Sequence, residues 1–266
     1  MKITSLFTML LLLFTVVAAQ TPAEINVAAY NVEFSDKGTA REIGAALMPY
    51  DFDIICFSEA PGGTWAADVA NSLGMEYYVT GRYSTAGHKD KYKVIVCKTP
   101  LYGYEEVLMA DTFHTATKAF TRIGETVFSI YSIHFPFGWR DQAHIDETTG
   151  KISAFVNYLR ENESGPAIPL VMGDFNFILS QPEKASPYYD MHRHAGYASA
   201  WPALHIDVTN LGTMVKFVPK GDGNGRVIDH ILYKPSLMRP IDGGIIEMEH
   251  PLSDHKPVWA KLRIGE

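Results

Sequence analysis

Nine side chains in this sequence have types and positions that could do chemistry: Asn31, Glu33, Glu59, His134, Asp174, Asn176, Asp229, Asp254 and His255. They fall at the ends of short apolar runs, in "YNVE", "CFSEA", "SIHF", "MGDFN", "VIDHI" and "LSDH". Singly, each has an ordinary explanation as a turn residue, a cap or an internally satisfied histidine. Strands that repeatedly end in an acid, an amide or an imidazole are better explained by convergence on one cation or anion. Within "VMGDFNFIL", Asp174 and Asn176 are two apart, so along a strand both would point to the same side.

The residue types narrow the reaction. Hard oxygen donors, with no thiolate cluster and no His-Glu-x-x-His, favour Mg2+ or Mn2+ over zinc. Two histidines and an asparagine beside those acids suit a substrate anion, to which they can donate hydrogen bonds. A divalent ion, a water and a phosphate are the economical occupants. No Gly-x-Ser-x-Gly and no P-loop pattern occurs, which disfavours a serine nucleophile and a nucleoside triphosphate site.

Strands and helices must position these groups, and the chain interleaves them. "INVAAY", "FDIICF", "EYYVTG", "KVIVCK", "TVFSIYSIHF", "IPLVMG", "VIDHILY", "GGIIEME" and "PVWAKLRI" are short β-branched or aromatic runs bounded by turn formers, and are predicted strands. Ala40, Ile43 and Leu47, then Trp65, Val69 and Leu73, then Ile152, Phe155, Val156 and Leu159 recur at helical spacing. "RIGETV" predicts a hairpin and hence an antiparallel part of the sheet. With no repeat and no dividing linker, residues 20–266 are expected to form one compact α/β domain.

Residues 1–19 read as a secretory signal peptide: Lys2, an apolar run too short to span a bilayer comfortably, then small residues, with cleavage expected after Ala19. A secreted or periplasmic location follows as an expectation. The formal charge is −7, and removal of the leader takes away one further positive charge, Lys2, so no polycation awaits nucleic acid. The basic stretch "GRYSTAGHKDKYK", with Arg82, His88, Lys89, Lys91 and Lys93, is either a solvated loop or a local polyanion contact. Cys56 and Cys97 sit in apolar strand-like runs and could be bonded or free.

From "INVAAYNVEF" to "LSDHKPVWAKL", with "GDFN", "VIDHIL" and "SDHKPV" in order, the chain resembles the endonuclease/exonuclease/phosphatase superfamily, in a deoxyribonuclease I-like or exonuclease III-like form of bacterial type. The resemblance implies a four-layered α/β sandwich, two packed mixed β-sheets flanked by helices, with the active site at one end of the sheets. It implies that Glu59 holds the metal with help from Asn31 and Glu33, and that Asp254 sits near it. Asp174 would orient or deprotonate the attacking water, and Asn176 would hold the substrate. His255 would donate to the phosphoryl oxygen with Asp229 orienting it; His134 matches a position of variable type. The usual Gln before the metal-binding acid is Ser58 here, and "RVIDHIL" replaces the inositol 5-phosphatase signature.

Three substrate readings remain at this stage. A nuclease acting on DNA or RNA is favoured by export, the basic stretch and the aromatics Phe135, Phe137 and Trp139 beside His134. A sphingomyelinase-type phospholipid phosphodiesterase would use those aromatics against a membrane lipid, and a phosphomonoesterase would share the same chemistry. A non-catalytic binding protein is disfavoured by the intact polar set. A monomer is expected.

Overall fold

A computed structural model describes residues 24–137, 141–181, 186–218 and 220–265. The expected signal peptide and Trp139 lie outside the described residues. The first sheet has the strand order β11 (Met238–Ile245), β12 (Val258–Ile264), β1 (Glu24–Asn31), β2 (Ile54–Ala60), β4 (Tyr92–Cys97), β3 (Tyr77–Thr80). The second runs β5 (Leu101–Leu108), β6 (Thr115–Ile123), β7 (Thr126–His134), β8 (Ile168–Asp174), β10 (Asp229–Tyr233), β9 (Ala198–Ser199). Each is mixed: β1 and β2 are parallel, as are β7 and β8, and the other pairings are antiparallel.

Strand alternation builds the layers. On β1, Val27 and Ala29 face the layer between the sheets, where they meet Ile54 and Cys56 of β2 and Ile130, Leu170 and Ile231 of the second sheet. The alternate residues Ala28 and Tyr30 join Ile55, Phe57 and Val94 on the outer face, against Ile43 and Leu47 of α1 (Ala40–Leu47) and Trp65 and Val69 of α2 (Trp65–Leu73). The second sheet turns Tyr131, Ile133 and Val171 outward onto Ile152, Phe155 and Leu159 of α3 (Gln142–Asn162), with Met191 of α4 (Ser186–Ala195). Both faces of the central strands are covered, which is why their sequences read as continuous apolar runs. Each large side chain so buried contributes about 1.5–3 kcal/mol. The result is the helix–sheet–sheet–helix sandwich expected from the sequence.

The three predicted helices form on the predicted faces. A capping box, with Thr39 and Glu42 each satisfying the other's backbone, starts α1. Left-handed Gly74 ends α2. Asp141 accepts from the His144 backbone N–H and caps α3, which begins ten residues before its apolar stripe. Cys56 and Cys97 are buried free thiols on neighbouring strands. Among the described residues no helix is long and apolar enough to cross a membrane.

Candidate active site

The inward-facing row of each central strand ends in a polar group. Val27 and Ala29 lead to Asn31; Phe128 and Ile130 lead, through Ser132, to His134; Leu170 and Met172 lead to Asp174. Strand β10 is antiparallel to β8, so its first residue, Asp229, pairs with Asp174 at the same edge. Parallel strands ending and antiparallel strands beginning at one edge thus bring together residues up to about two hundred positions apart. Gly173 makes this approach possible: its φ is +143°, and a Cβ there would lie 2.1 Å from the Ile133 carbonyl oxygen. Asn31 bridges the sheets, its Nδ2 donating to Asp174 Oδ2 at 3.0 Å and to Glu59 Oε1 at 3.3 Å.

Glu59 departs from the alternation. After Cys56 inward and Phe57 outward, it takes φ +51° where the β2–β4 register shifts, and this local bulge re-aims its carboxylate into the cleft. Asn176 is also left-handed, at φ +53°; its amide donates to the Phe135 carbonyl oxygen and its backbone N–H to Asp174 Oδ1. His255 reaches the site from the "SDH" turn before β12. Ser253 pins that turn, donating to the Asn31 carbonyl oxygen at 2.7 Å and accepting from the His255 N–H at 3.2 Å.

Two buried histidines face the same Asp174 Oδ2, His134 Nε2 at 3.6 Å and His255 Nε2 at 3.8 Å. Burial lowers His134 to about 4, outweighing the pull of Asp174. Burial acts on His255 in the same direction, but Asp229, with Oδ2 2.8 Å from Nδ1, reverses it and raises the ring to about 10. His255 is therefore an imidazolium and His134 a neutral imidazole at neutral pH. Burial and the neighbouring Asp229 charge raise Asp174, against the opposing pull of His255 and His134. A carboxyl so placed is a better proton acceptor than an exposed one. Asp229 is fully buried, and its Oδ1 has no hydrogen-bond partner.

Of the remaining acids, Glu33 Oε2 accepts from the Asp254 N–H at 3.0 Å and pairs with Lys37, so it holds the turn carrying Asp254 and His255. Asp254 is partly exposed, with Oδ1 4.0 Å from His255 Nε2. The ligand atoms of Asp174, Asp229 and His255 lie within 4.8 Å of one another, close enough to surround one ion, with His255 Nδ1 already engaged by Asp229.

The residues open into a cleft of about 600 Å³. Its floor includes Glu59, His134, Asp174, Asn176 and His255, and its rim includes exposed Phe137. The basic stretch beside it is only partly exposed. Lys93 is fully buried, its Nζ donating to the Tyr83 carbonyl oxygen, and burial lowers it to about 8. Lys91 is paired with Glu59, which leaves Arg82, His88 and Lys89 as the exposed members. Phe135 is core, packed on Phe155 and Phe175.

Two further residues support the site. Thr213 accepts from the Ile228 and Asp229 N–H groups through Oγ1 and so holds the backbone that carries Asp229. Lys91, one of the cations of the basic stretch, reaches Glu59 because it precedes β4, the strand that neighbours β2. No local signal marks Thr213, whose role depends on a contact sixteen residues away.

Comparison with solved structures finds the same fold. An endonuclease/exonuclease/phosphatase from Beutenbergia cavernae superposes with a TM-score of 0.72 at 15% identity, over 91% of this chain and 72% of that one. A Bacteroides vulgatus endonuclease/exonuclease/phosphatase gives 0.67 at 15% identity, over 91% and 100%. D. rerio TDP2, complexed with a single-strand DNA product, gives 0.68 at 13% identity, over 91% and 99%. Comparison with curated protein sequences finds no match. The sequence model described as "Endonuclease/Exonuclease/phosphatase family" matches residues 28–255, from the first central strand to the imidazolium itself, and the chain accordingly belongs to that family and is a phosphoric ester hydrolase.

Proposed function

We propose that the chain is an exported, divalent-metal-dependent phosphodiesterase acting on nucleic acid. The observation that carries this reading is the buried Asp229–His255 pair opposite Asp174, with Asn176 and Glu59 at the same cleft. His255 is a charged donor held ready for a phosphoryl oxygen, which gains negative charge as the diester is attacked. Asp174 accepts the proton of the attacking water, and the main-chain bond from Asn176 fixes its Oδ1. The Asn176 amide and the neutral His134 line the floor on which the phosphate rests.

The donor chemistry fits Mg2+ or Mn2+: carboxylate and amide oxygens gather at the cleft, and Glu59 already draws a cation, Lys91, to Oε2. Glu59 would hold the ion, with Asn31 and Asp254 beside it and Glu33 securing the Asp254 turn. When bound, the metal supplies charge neutralisation at the phosphate. The nucleic acid reading is supported by the single-strand DNA product in the TDP2 neighbour and by Phe137, an exposed ring at the cleft rim suited to stacking on a base. The basic stretch supports it less than the sequence suggested, because Lys91 and Lys93 are committed internally.

The test is hydrolysis by the mature protein, with Mg2+, of single-stranded and duplex DNA, RNA, sphingomyelin vesicles and bis(4-nitrophenyl) phosphate. Cleavage of oligonucleotides that stops in excess chelator is expected. Phe137→Ala should weaken oligonucleotide KM severalfold and leave the small diester unchanged, a stacked base being worth about 1–3 kcal/mol. Exclusive hydrolysis of vesicles would replace the nuclease with a lipid enzyme, and undiminished hydrolysis in chelator would remove the metal.

A further inference from the structure

The Lys91 ammonium lies 2.7 Å from Glu59 Oε2, with both side chains largely buried. It also sits over the face of Phe34, 4.8 Å from the ring centroid. Phe34 is held there by an unusual backbone: Glu33, Phe34 and Ser35 all have positive φ, and the Glu33 N–H donates to Asn31 Oδ1 at 3.0 Å. The other Glu59 oxygen faces Asn31 Nδ2 at 3.3 Å and His134 Nε2 at 3.6 Å. A carboxylate face and an aromatic face therefore form a seat for one cation beside the cleft, and Lys91 fills it. This is not a surface ion pair of little consequence, because the partner is the acid to which the proposed function assigns the metal.

Resting on that reading, we infer that Lys91 is a built-in competitor of the divalent ion for Glu59 and sets the affinity of the metal site. Two cations cannot share one carboxylate oxygen without strong repulsion at this degree of burial. Glu59 Oε1 already accepts from Asn31 Nδ2, so an ion that takes Oε2 must displace the ammonium, and the free energy of that displacement is subtracted from metal affinity. The four-carbon stem allows the move, and Lys91 lines the cleft, so the displaced charge stays beside the site of the phosphate. The backbone of Lys91 has its own duties, its N–H donating to Ser84 Oγ and its carbonyl oxygen accepting from the Thr85 N–H. Replacing the ammonium therefore leaves the loop's main-chain bonds in place.

Mn2+ binding to the mature protein, read by calorimetry without substrate, tests this directly. Lys91→Met should bind Mn2+ at least about fivefold more tightly than wild type, the low end of ordinary coupling energies. Lys91→Arg, which keeps the charge, should stay within about twofold of wild type. Phe34→Leu, which removes only the aromatic face, should tighten binding by a smaller factor and serves if Lys91→Met does not fold. Unchanged or weaker Mn2+ binding by folded Lys91→Met would overturn the competitor role while leaving the metal assignment intact. Equal Mn2+ binding by wild type and Glu59→Gln would instead overturn the assignment of the metal to Glu59, a different result from a different variant.

Discussion

His134 and His255 are a controlled comparison within one site. Both are nearly fully buried, one at the end of β7 and the other in the turn before β12, and both turn Nε2 toward the same oxygen of Asp174. One is lowered to about 4 and the other raised to about 10. The largest difference is one contact: Asp229 lies 2.8 Å from His255 Nδ1, whereas His134 Nδ1 has no hydrogen-bond partner; Asp174 and Asp254 add to the rise of His255, and nearby Lys93, His114 and Lys91 add to the fall of His134. Burial alone drives an imidazole neutral; burial beside a fixed carboxylate keeps it a cation well above neutral pH. On the proposed reading the cleft therefore offers a phosphate one charged donor and one neutral one, which divides roles between two identical side chains.

Removing the contact should have the largest effect. Asp229→Asn deprives His255 of its counter-charge, and turnover should fall by about 10²–10³, the usual cost of one transition-state donor. Its pH profile sharpens the point. Wild-type activity should persist to alkaline pH, because His255 stays protonated up to about 10, while the variant should lose its residual activity as pH rises through the neutral range. A rate profile of Asp229→Asn that matches wild type would break the comparison. His255→Ala should lose turnover to a similar extent, since both changes remove the same donor.

Stability supplies a second and smaller contrast. Buried neutral His230, lowered by burial to about 3, stacks on Phe177 at 4.6 Å between ring centroids. A histidine lowered on folding favours the fold above the unfolded-state value near 6.5 and loses that contribution as pH falls toward the folded value. His255, raised on folding, does the opposite: its contribution is complete below about 6.5 and is lost as pH rises toward 10. Thermal unfolding should show an acid limb between about pH 6.5 and 3 that flattens in His230→Gln. An alkaline limb between about pH 6.5 and 10 should flatten in Asp229→Asn. Identical limbs in variant and wild type would show that these rings do not titrate as burial of His230 and the Asp229 contact of His255 require.

His134→Gln should have the smallest effect. A neutral imidazole gives the phosphate one ordinary hydrogen bond, worth about 0.5–1.5 kcal/mol, so turnover should fall less than about tenfold. A loss as large as that of His255→Ala would mean that His134 is charged during the reaction.

Much of this was legible in the sequence because it depends on period. Val27, Ala29 and Asn31 lie on one face of a strand by alternation alone, as do Leu170, Met172 and Asp174, so the polar ends of the core could be read before any coordinates. The stripes of α1, α2 and α3 were legible for the same reason. Strand β5 was not: in "LYGYEEVL" the outer positions are exposed, and two adjacent glutamates hide the alternation of an edge strand. Glu59 entered the site by a positive φ at a bulge, and no pattern announces a bulge. Lys91 and Lys93 looked alike in a basic run. Strand alternation sent Lys93 into the protein, and only the pairing of distant chain segments gave Lys91 an acid.

The most direct measurement is an imidazole titration followed by NMR in protein labelled at the histidine rings, with His134→Gln and His255→Ala used for assignment. The charge division between the two rings predicts a doubly protonated His255 at pH 8 and a neutral His134 at pH 6. Both rings titrating together near the ordinary value of about 6.5 would contradict it.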